Sequence, residues 1–244
     1  MGLPIRGTLL NTATVVVGSL LGWALGARVP SAAMEIALSA LGLVTLGIGV
    51  KLFLESKNVL VLAFALTVGG VLGWALGIQA GVEGFAEWAR VSLGPLATGR
   101  FSEAVVTTSI LFCVGPMTLL GCLQEGLEGK IELLAIKSVL DGVGSVFFAA
   151  TLGPGVLVTA AIVLVFQGAL TLAAGRLRAL ARDPELLAEA SAVGGAMLLA
   201  IGMGLLEIRR LPVANYLPAL VLAPLGTVVA RRWLPVHADP VDGV

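Results

Sequence analysis

Two charged residues, Lys137 and Asp141, stand four positions apart inside one apolar stretch of the chain. Positions i and i+4 of a helix share a face, so the ammonium and the carboxylate can pair. A membrane-spanning helix over about 131–152 would place Asp141 ~15 Å from its start, near the bilayer midplane. A charge at that depth costs at least about 2.5 kcal/mol. The spacing predicts either an ion- or substrate-binding site or a buried ion pair that only fixes helix register.

Other polar groups and one helix break lie within apolar stretches. The span that precedes the charged pair is interrupted at Gly115-Pro116, where proline removes an amide donor and frees carbonyl oxygens as ligands. The predicted ion- or substrate-binding residues are Asp141, Lys137, Ser138, Gly115, Pro116, Asn11, Gln167 and Asn215. Further hydroxyl groups that would line such a pathway belong to Thr107, Thr108, Ser109 and Ser145.

The residue types in the sequence give little support for an enzymatic function. The only histidine, His237, falls in a polar tail, and neither an HExxH nor a G-x-S-x-G pattern occurs. Cys113 and Cys122 are nine residues apart, which on a straight helix puts them on opposite faces and predicts packing rather than a disulfide or a metal pair. The sequence predicts a protein that is not an enzyme and binds no cofactor or metal.

The composition is that of a membrane protein. The chain has 244 residues, of which 58% are hydrophobic and 12% charged, about half the charged fraction of a soluble domain. Several apolar runs reach the ~20 residues that span a bilayer as a helix. The predicted fold class is an all-α, polytopic transmembrane helical bundle in contact with the lipid bilayer. The net charge is zero, so no nucleic-acid partner is expected.

About eight spans are predicted, and a count of seven is also compatible with the pattern. We expect one integral membrane domain over 1–230 and a polar tail over 231–244. A short amphipathic helix near 80–95 is expected on the membrane surface, with Trp88 at the headgroup level. The predicted spans are 7–27, 33–54, 58–78, 103–123, 131–152, 154–175, 187–206 and a last span that begins irregularly within 208–218 and ends near 230.

Two internal similarities shape the expected architecture. The segment Gly18–Gly26 recurs as Gly69–Gly77 with seven of nine positions identical, and its G-x-x-x-G steps predict close helix packing or a homo-oligomer interface. Residues 39–55 align with 191–207, from spans that cross in opposite directions. We therefore predict an inverted repeat of helices 1–3 and 6–8 around a central hairpin of helices 4 and 5, with the site at the midplane.

The distribution of basic residues favours cytoplasmic termini. The loops on the side of the termini carry eight lysines and arginines, and the opposite loops carry five. Positive residues are retained on the cytoplasmic side.

Several segments resemble the YqgA-like family, bacterial membrane proteins grouped by a domain of unknown function. These segments are Gly7–Asn11, Leu111–Met117, Lys137–Gly142, Gln167–Thr171, Ser191–Gly195 and Asn215–Ala219. The resemblance extends from Gly7 to about Ala230. It implies a multi-pass protein of the bacterial inner membrane, in a family sometimes labelled as candidate sodium channels and linked in one member to biofilm formation.

Two functions from different classes are expected. In the first, the chain is a transporter or channel for a small ion or solute, with Asp141 as the ion- or proton-binding carboxylate and Lys137 as its counter-charge. A fixed cation beside the carboxylate opposes bare cation conduction, so a carrier fits better than a channel. In the second, the chain is a non-transporting scaffold or regulatory protein, for example one that influences biofilm formation, and the pair is structural.

Overall fold

The computed structural model describes residues 5–26, 28–113, 116–176 and 183–233. Within them the regular structure is helical. The long helices are α1 (Arg6–Gly26), α2 (Ser31–Phe53), α3 (Val59–Ala75), α4 (Ile78–Leu93), α5 (Phe101–Cys113), α6 (Pro116–Glu128), α7 (Glu132–Leu152), α8 (Gly155–Leu172), α9 (Pro184–Leu205) and α10 (Ala219–Trp233). Short 3-10 helices cover Gly94–Leu96 and Val213–Tyr216.

Six helical segments are long and apolar enough to cross a membrane unbroken. Two further pairs reach that length only together, and both are bent: α3 with α4 by 56°, and α5 with α6 by 57°. Counting each bent pair as one span gives eight, which confirms the predicted polytopic helical fold.

Local sequence explains where several helices begin and bend. Asn58 caps α3 by accepting hydrogen bonds from the backbone N–H groups of Leu60 and Val61. Gly77 separates α3 from α4 with a φ of 66°, a left-handed conformation that glycine adopts without a steric penalty. The chain therefore turns sharply at this glycine.

The helix predicted near 80–95 is present as α4. Its small residues Ala86 and Ala89 are buried against Phe101 and Val105 of α5. Trp88, on another side of α4, is 65% exposed. One side of α4 therefore faces the bundle, and the amphipathic helix at the membrane surface stays a prediction.

α1 and α7 make the most extensive helix contact in the described part of the bundle. A Cβ atom added to Gly18, Gly22 or Gly26 would come within 2.2, 2.1 or 2.4 Å of a backbone carbonyl oxygen of α7. These oxygens belong to Gly142, Val146 and Ala150. Residue numbers rise together along both helices, so α1 and α7 are parallel, and only glycine permits this separation.

The first three helices pack antiparallel against helices from the second half of the chain. α1 runs antiparallel to α8, because Asn11 contacts Gln167 while Thr8 contacts Thr171. α2 is likewise antiparallel to α9, and α3 to α10, through close approaches at their glycines. Each of these helices thus lies against the counterpart that the sequence interpretation assigned to it, and the inverted repeat itself stays a prediction.

The last described turn of α10 is fixed to the start of α9. Asp183 caps α9 and pairs with Arg231, whose Nη1 lies 2.5 Å from Asp183 Oδ2. The predicted tail began at 231, and α10 extends to Trp233. Residues 234–244 lie outside the described part of the chain.

A buried charge cluster at the centre of the bundle

α7 positions the charged pair at mid-length. Asp141 is the tenth of the 21 residues of the helix, which is about 31 Å long and matches the hydrocarbon thickness of a bilayer. Lys137 lies one turn nearer the start of α7. The expected location of both residues within a span therefore agrees with the helix bounds.

The ammonium and the carboxylate are in direct contact and nearly sealed. Lys137 Nζ donates to Asp141 Oδ2 at 2.5 Å. The two residues expose only 5% and 6% of their surface. Neither charge reaches another helix through this bond, since both residues belong to α7.

Two amide side chains connect the pair to neighbouring helices. Asn11 of α1 donates Nδ2 to Asp141 Oδ2 at 2.9 Å and to Gln167 Oε1 of α8 at 3.2 Å. Asn11 and Gln167 are completely buried. Four of the eight predicted site residues therefore meet in one cluster, built from α1, α7 and α8.

The direction of these hydrogen bonds follows from the charge on Asp141. An ionised carboxylate only accepts, so Asn11 must turn its NH2 group toward it. The same NH2 group also donates a hydrogen bond to the side-chain oxygen of Gln167. Asn11 Oδ1 and Gln167 Nε2 consequently have no hydrogen-bond partner among the described residues. Buried groups of this kind need a partner or a functional reason.

Lys137 also faces an aromatic ring. Its Nζ lies 5.8 Å from the centroid of Phe112, within the range of a cation–π interaction. Phe112 belongs to the last turn of α5, next to the break. The end of α5 and the charged pair are therefore neighbours in space.

The predicted break at Gly115-Pro116 agrees with the helix bounds. α5 ends at Cys113 and α6 begins at Pro116. Gly115 and the side chain of Pro116 lie outside the described residues, so the proposed carbonyl ligands there stay a prediction.

Asn215 and Ser138 have other partners. Asn215 Oδ1 accepts a hydrogen bond from the backbone N–H of Gln79 at the start of α4, at 3.0 Å. The Gln79 side chain in turn accepts from the backbone N–H of Ala214 at 2.9 Å. Ser138 donates its hydroxyl to the Leu134 carbonyl of its own helix. These bonds give both residues local structural partners, outside the hydrogen-bonded cluster.

The hydroxyl-bearing residues of α5 that were predicted to line a pathway either contact α8 or line an open cleft. Thr108 and Thr159 place their hydroxyl oxygens 2.6 Å apart, and Ser109 lies 3.4 Å from the same oxygen. Thr107 lines a cleft of about 440 Å3. Charged and amide side chains of this cleft are Gln79, Glu83, Glu103 and Arg210. A polar surface thus extends inward along α5 from the end of the bundle opposite Gly7.

The straight-helix argument for the two cysteines does not apply. α5 ends at Cys113, so the helical register that relates it to Cys122 is interrupted. Both cysteines are free and buried.

Two buried glutamates were missed by the sequence interpretation. Glu125 of α6 is 4% exposed and accepts from the backbone N–H of Gly7 at 2.6 Å. Glu189 of α9 is completely buried and accepts from the backbone N–H groups of Lys57 and Asn58 at 2.6 and 2.8 Å. Each carboxylate serves the start of another helix, where free N–H groups favour an anion.

A signal for one of them was present in the sequence. Glu189 is the only acidic residue within the predicted span 187–206. The criterion that singled out Asp141 applies to it as well. Glu125 was assigned to an acidic turn between spans, where a carboxylate needs no explanation.

The cluster combines one carboxylate, one ammonium group and two carboxamide groups. Among residues 5–26, 28–113, 116–176 and 183–233, no group of three histidine, cysteine, aspartate or glutamate side chains could hold a metal ion. A carboxylate that releases an ammonium on protonation, and two free amide atoms that can donate or accept, can bind protons, water or a small polar group.

Comparison with known proteins identifies relatives over almost the whole chain. The family model described as "Protein of unknown function (DUF554)" matches residues 6–228. The uncharacterised protein YqgA of Escherichia coli (strain K12) is 34% identical over 233 residues, covering 94% of this chain and 99% of that protein. The uncharacterised membrane protein YdfK of Bacillus subtilis (strain 168) is 26% identical over 231 residues, covering 93% of this chain and 97% of its own. No solved structure matches significantly. These matches confirm the family resemblance and the membrane character.

Proposed function

This chain belongs to the DUF554 family of proteins of unknown function, and we propose that it is a carrier that moves a small ion or solute across the bacterial inner membrane. The observation that carries the proposal is the buried Lys137–Asp141 pair with two unpartnered amide atoms beside it. We infer no enzymatic role. The excess of basic residues on the side of the termini supports cytoplasmic termini.

A purely structural role explains the pair poorly. Burying two charges costs several kcal/mol per ion, and a hydrophobic replacement is often as stable. A register-fixing ion pair joins two helices, whereas Lys137 and Asp141 lie on the same helix. The interhelical bonds come from Asn11, and neutral amide and hydroxyl groups are sufficient for that task. The charges therefore favour a function that uses them.

The same geometry favours a carrier over an open cation channel. The Lys137 ammonium nitrogen lies 2.5 Å from Asp141 Oδ2. Its positive charge repels a bare cation that approaches this oxygen. Protonation of Asp141, or an anionic group binding Lys137, would break the pair. Such an exchange of partners can accompany a change of conformation.

A scaffold or regulatory role is the second candidate, and the sealed packing favours it. The cluster is closed in this conformation, with Asn11 and Gln167 fully buried. The outer faces of α1 and α7 also expose large apolar side chains suited to lipid or a second copy. Under this alternative, neutral replacement of the pair as a unit preserves function.

Flux into proteoliposomes tests the proposal. Protons, sodium, potassium and a set of small organic anions are screened with the wild type, Asp141→Asn and the control Glu189→Gln, which alters a buried carboxylate outside the cluster. We expect flux of one species that Asp141→Asn abolishes and Glu189→Gln retains. Absence of flux for every species, with all three proteins monodisperse, would favour the scaffold.

A further inference from the structure

A row of buried polar groups extends from the Gly7 end of the bundle, where α1 begins, to Asp141. Glu125 binds the backbone of Gly7 and contacts the N–H of Thr8. The hydroxyl oxygen of Thr8 lies 3.5 Å from that of Thr171. One turn further along α1 and α8 come Asn11 and Gln167, and Asn11 reaches Asp141. We call these groups, Glu125, Thr8, Thr171, Asn11, Gln167 and Asp141, the polar track.

Glu125 is less completely satisfied than the comparable Glu189. Glu189 receives close hydrogen bonds on both oxygens, from two backbone N–H groups and the hydroxyl of Ser56 at 2.9 Å. Glu125 receives one close bond on Oε1, and the contact of Oε2 with the Thr8 N–H is 3.4 Å long. This oxygen of a 4%-exposed carboxylate retains acceptor capacity at the start of α1. Glu189 is therefore a helix cap, and Glu125 is a cap with a free acceptor.

The two unpartnered amide atoms indicate what the polar track can carry. Asn11 Oδ1 needs a donor, and Gln167 Nε2 needs an acceptor. A water molecule provides both, whereas a bare metal cation would satisfy only the oxygen and be opposed by the N–H groups and by Lys137. Water and hydroxyl groups transmit protons through hydrogen bonds. The chemistry of the polar track matches a proton better than Na+ or K+.

We propose that Glu125 is a second proton-binding carboxylate and that it supplies Asp141 with protons along the polar track from the Gly7 end of the bundle. The inference rests on the proposed carrier function and deepens it, because it names the proton as the coupling ion.

The transfer is balanced in protons and charge. Glu125 takes up one proton at Oε2, and the resulting carboxylic acid O–H donates it to a water molecule of the polar track. The proton then passes through the hydroxyl groups of Thr8 and Thr171 and further water beside Asn11 and Gln167 to the Asp141 carboxylate, each relay group releasing one proton as it accepts another. Glu125 returns to the carboxylate and Asp141 becomes neutral. The Lys137 ammonium is thereby released from its ion pair and can accept an anionic group.

The charged and titratable groups around the polar track are few. α7 contributes Lys137 and Asp141, α5 contributes Cys113 and α6 contributes Cys122 with Glu125. α1 brings only Arg6, at its exposed start, and the track residues of α8 are uncharged. Glu128 of α6 and Glu132 of α7 also lie at this end of the described bundle, but both are exposed, and Glu125 is the buried carboxylate that contacts the polar track.

Time-resolved infrared spectroscopy of proteoliposomes after an acid jump tests the proposal. The C=O stretch of protonated Asp141 is identified as the band that Asp141→Asn removes. We expect this band to appear roughly a hundredfold more slowly in Glu125→Gln and at the wild-type rate in the matched control Glu189→Gln. Thr171→Val is a second variant that interrupts the polar track without touching a carboxylate, and it should also slow the band. Thermal melts verify that each variant is folded.

An unchanged rate in both Glu125→Gln and Thr171→Val would overturn the inference, as would the absence of any Asp141 band in the wild type. Solute flux that Asp141→Asn abolishes, combined with unchanged band kinetics, would preserve the carrier and reject this proton route. Slowed kinetics without flux of any solute would reject the carrier and preserve the route.

Discussion

Asn11 of α1 donates its side-chain NH2 group to Asp141 of α7 at 2.9 Å. The two helices are parallel, and the two residues are 130 positions apart in the chain. This bond joins the first helix to the buried charge pair. It also fixes the direction of the Asn11 amide and, through it, that of Gln167. The hydrogen-bond pattern of three helices therefore depends on the charge of one carboxylate.

Replacing Asn11 should weaken the bundle measurably. Asn11→Ala removes a donor to an ionised, buried carboxylate, and hydrogen bonds to charged groups contribute about 1.5–3 kcal/mol. We expect a loss of that order in the free energy of unfolding, measured by denaturant titration in detergent. Thr14→Ala is the control, because the Thr14 hydroxyl bonds only within α1, to the Asn11 carbonyl. Equal losses for both variants would contradict a special role of the Asn11–Asp141 bond.

Single and double replacements of the ion pair should differ in how far they lower the free energy of unfolding. Asp141→Leu leaves a buried ammonium without its carboxylate, and such losses are about 3–5 kcal/mol. The double variant Lys137→Met/Asp141→Leu removes both charges and should be more stable than Asp141→Leu, and its remaining loss should be that of the missing Asn11–Asp141 hydrogen bond. We further expect it to be folded and without flux. A double variant as unstable as the single one would show that the charges stabilise the fold.

The contact between α1 and α7 should be too close to accommodate a methyl group added at a glycine of α1. A Cβ at Gly22 would lie 2.1 Å from the Val146 carbonyl oxygen, so Gly22→Ala must separate the helices and should cost about 1–3 kcal/mol. Gly47→Ala on α2 is the matched control, since no atom lies within 4 Å of its added Cβ. A thermal melt should show a lower Tm for Gly22→Ala and no loss for Gly47→Ala.

The junction of α9 and α10 should respond to acid. Hydrogen bonding to the Arg231 guanidinium lowers the pKa of Asp183 to about 2, from an ordinary value of 3.8. A depressed pKa in the folded state contributes stability that is fully present above the ordinary value and lost as the pH falls toward 2. The Tm of the wild type should therefore exceed that of Asp183→Asn at pH 6, and the difference should shrink as the pH falls below about 4. Asparagine retains the helix cap, so a difference that is independent of pH would exclude the ion pair as its cause.

Much of the fold could be predicted because bilayer length and helical periodicity act on each segment separately. The spans, the break at Gly115-Pro116 and the amphipathic helix near 80–95 depend on residues close in sequence. The same holds for Lys137 and Asp141, whose pairing is set by one helix. Asn11 and Asn215 illustrate the opposite case, since both are lone amides in apolar surroundings. Only tertiary packing directs one to Asp141 and the other to the start of α4.

The hydrogen-bond partners of Glu125 and Glu189 could not be identified from sequence for the same reason, although the position of Glu189 within a predicted span was itself a signal. Each lies one or two turns from the end of its helix, where a carboxylate is expected to reach water. Their partners are backbone N–H groups of α1 and α3, which carry no signature in the side-chain sequence. The helix starts that they serve become visible only when the helices are packed.

The parallel pairing of α1 with α7 has a consequence for biosynthesis. A ribosome makes about 5–20 residues per second, so the nascent chain carries Gly18, Gly22 and Gly26 in the membrane for roughly ten seconds before Gly142 is translated. During that interval α1 has no complementary surface from its own chain, and lipid or an insertion factor must cover the glycine groove. A chain truncated before residue 132 would leave this groove permanently open and should be a substrate for membrane quality control.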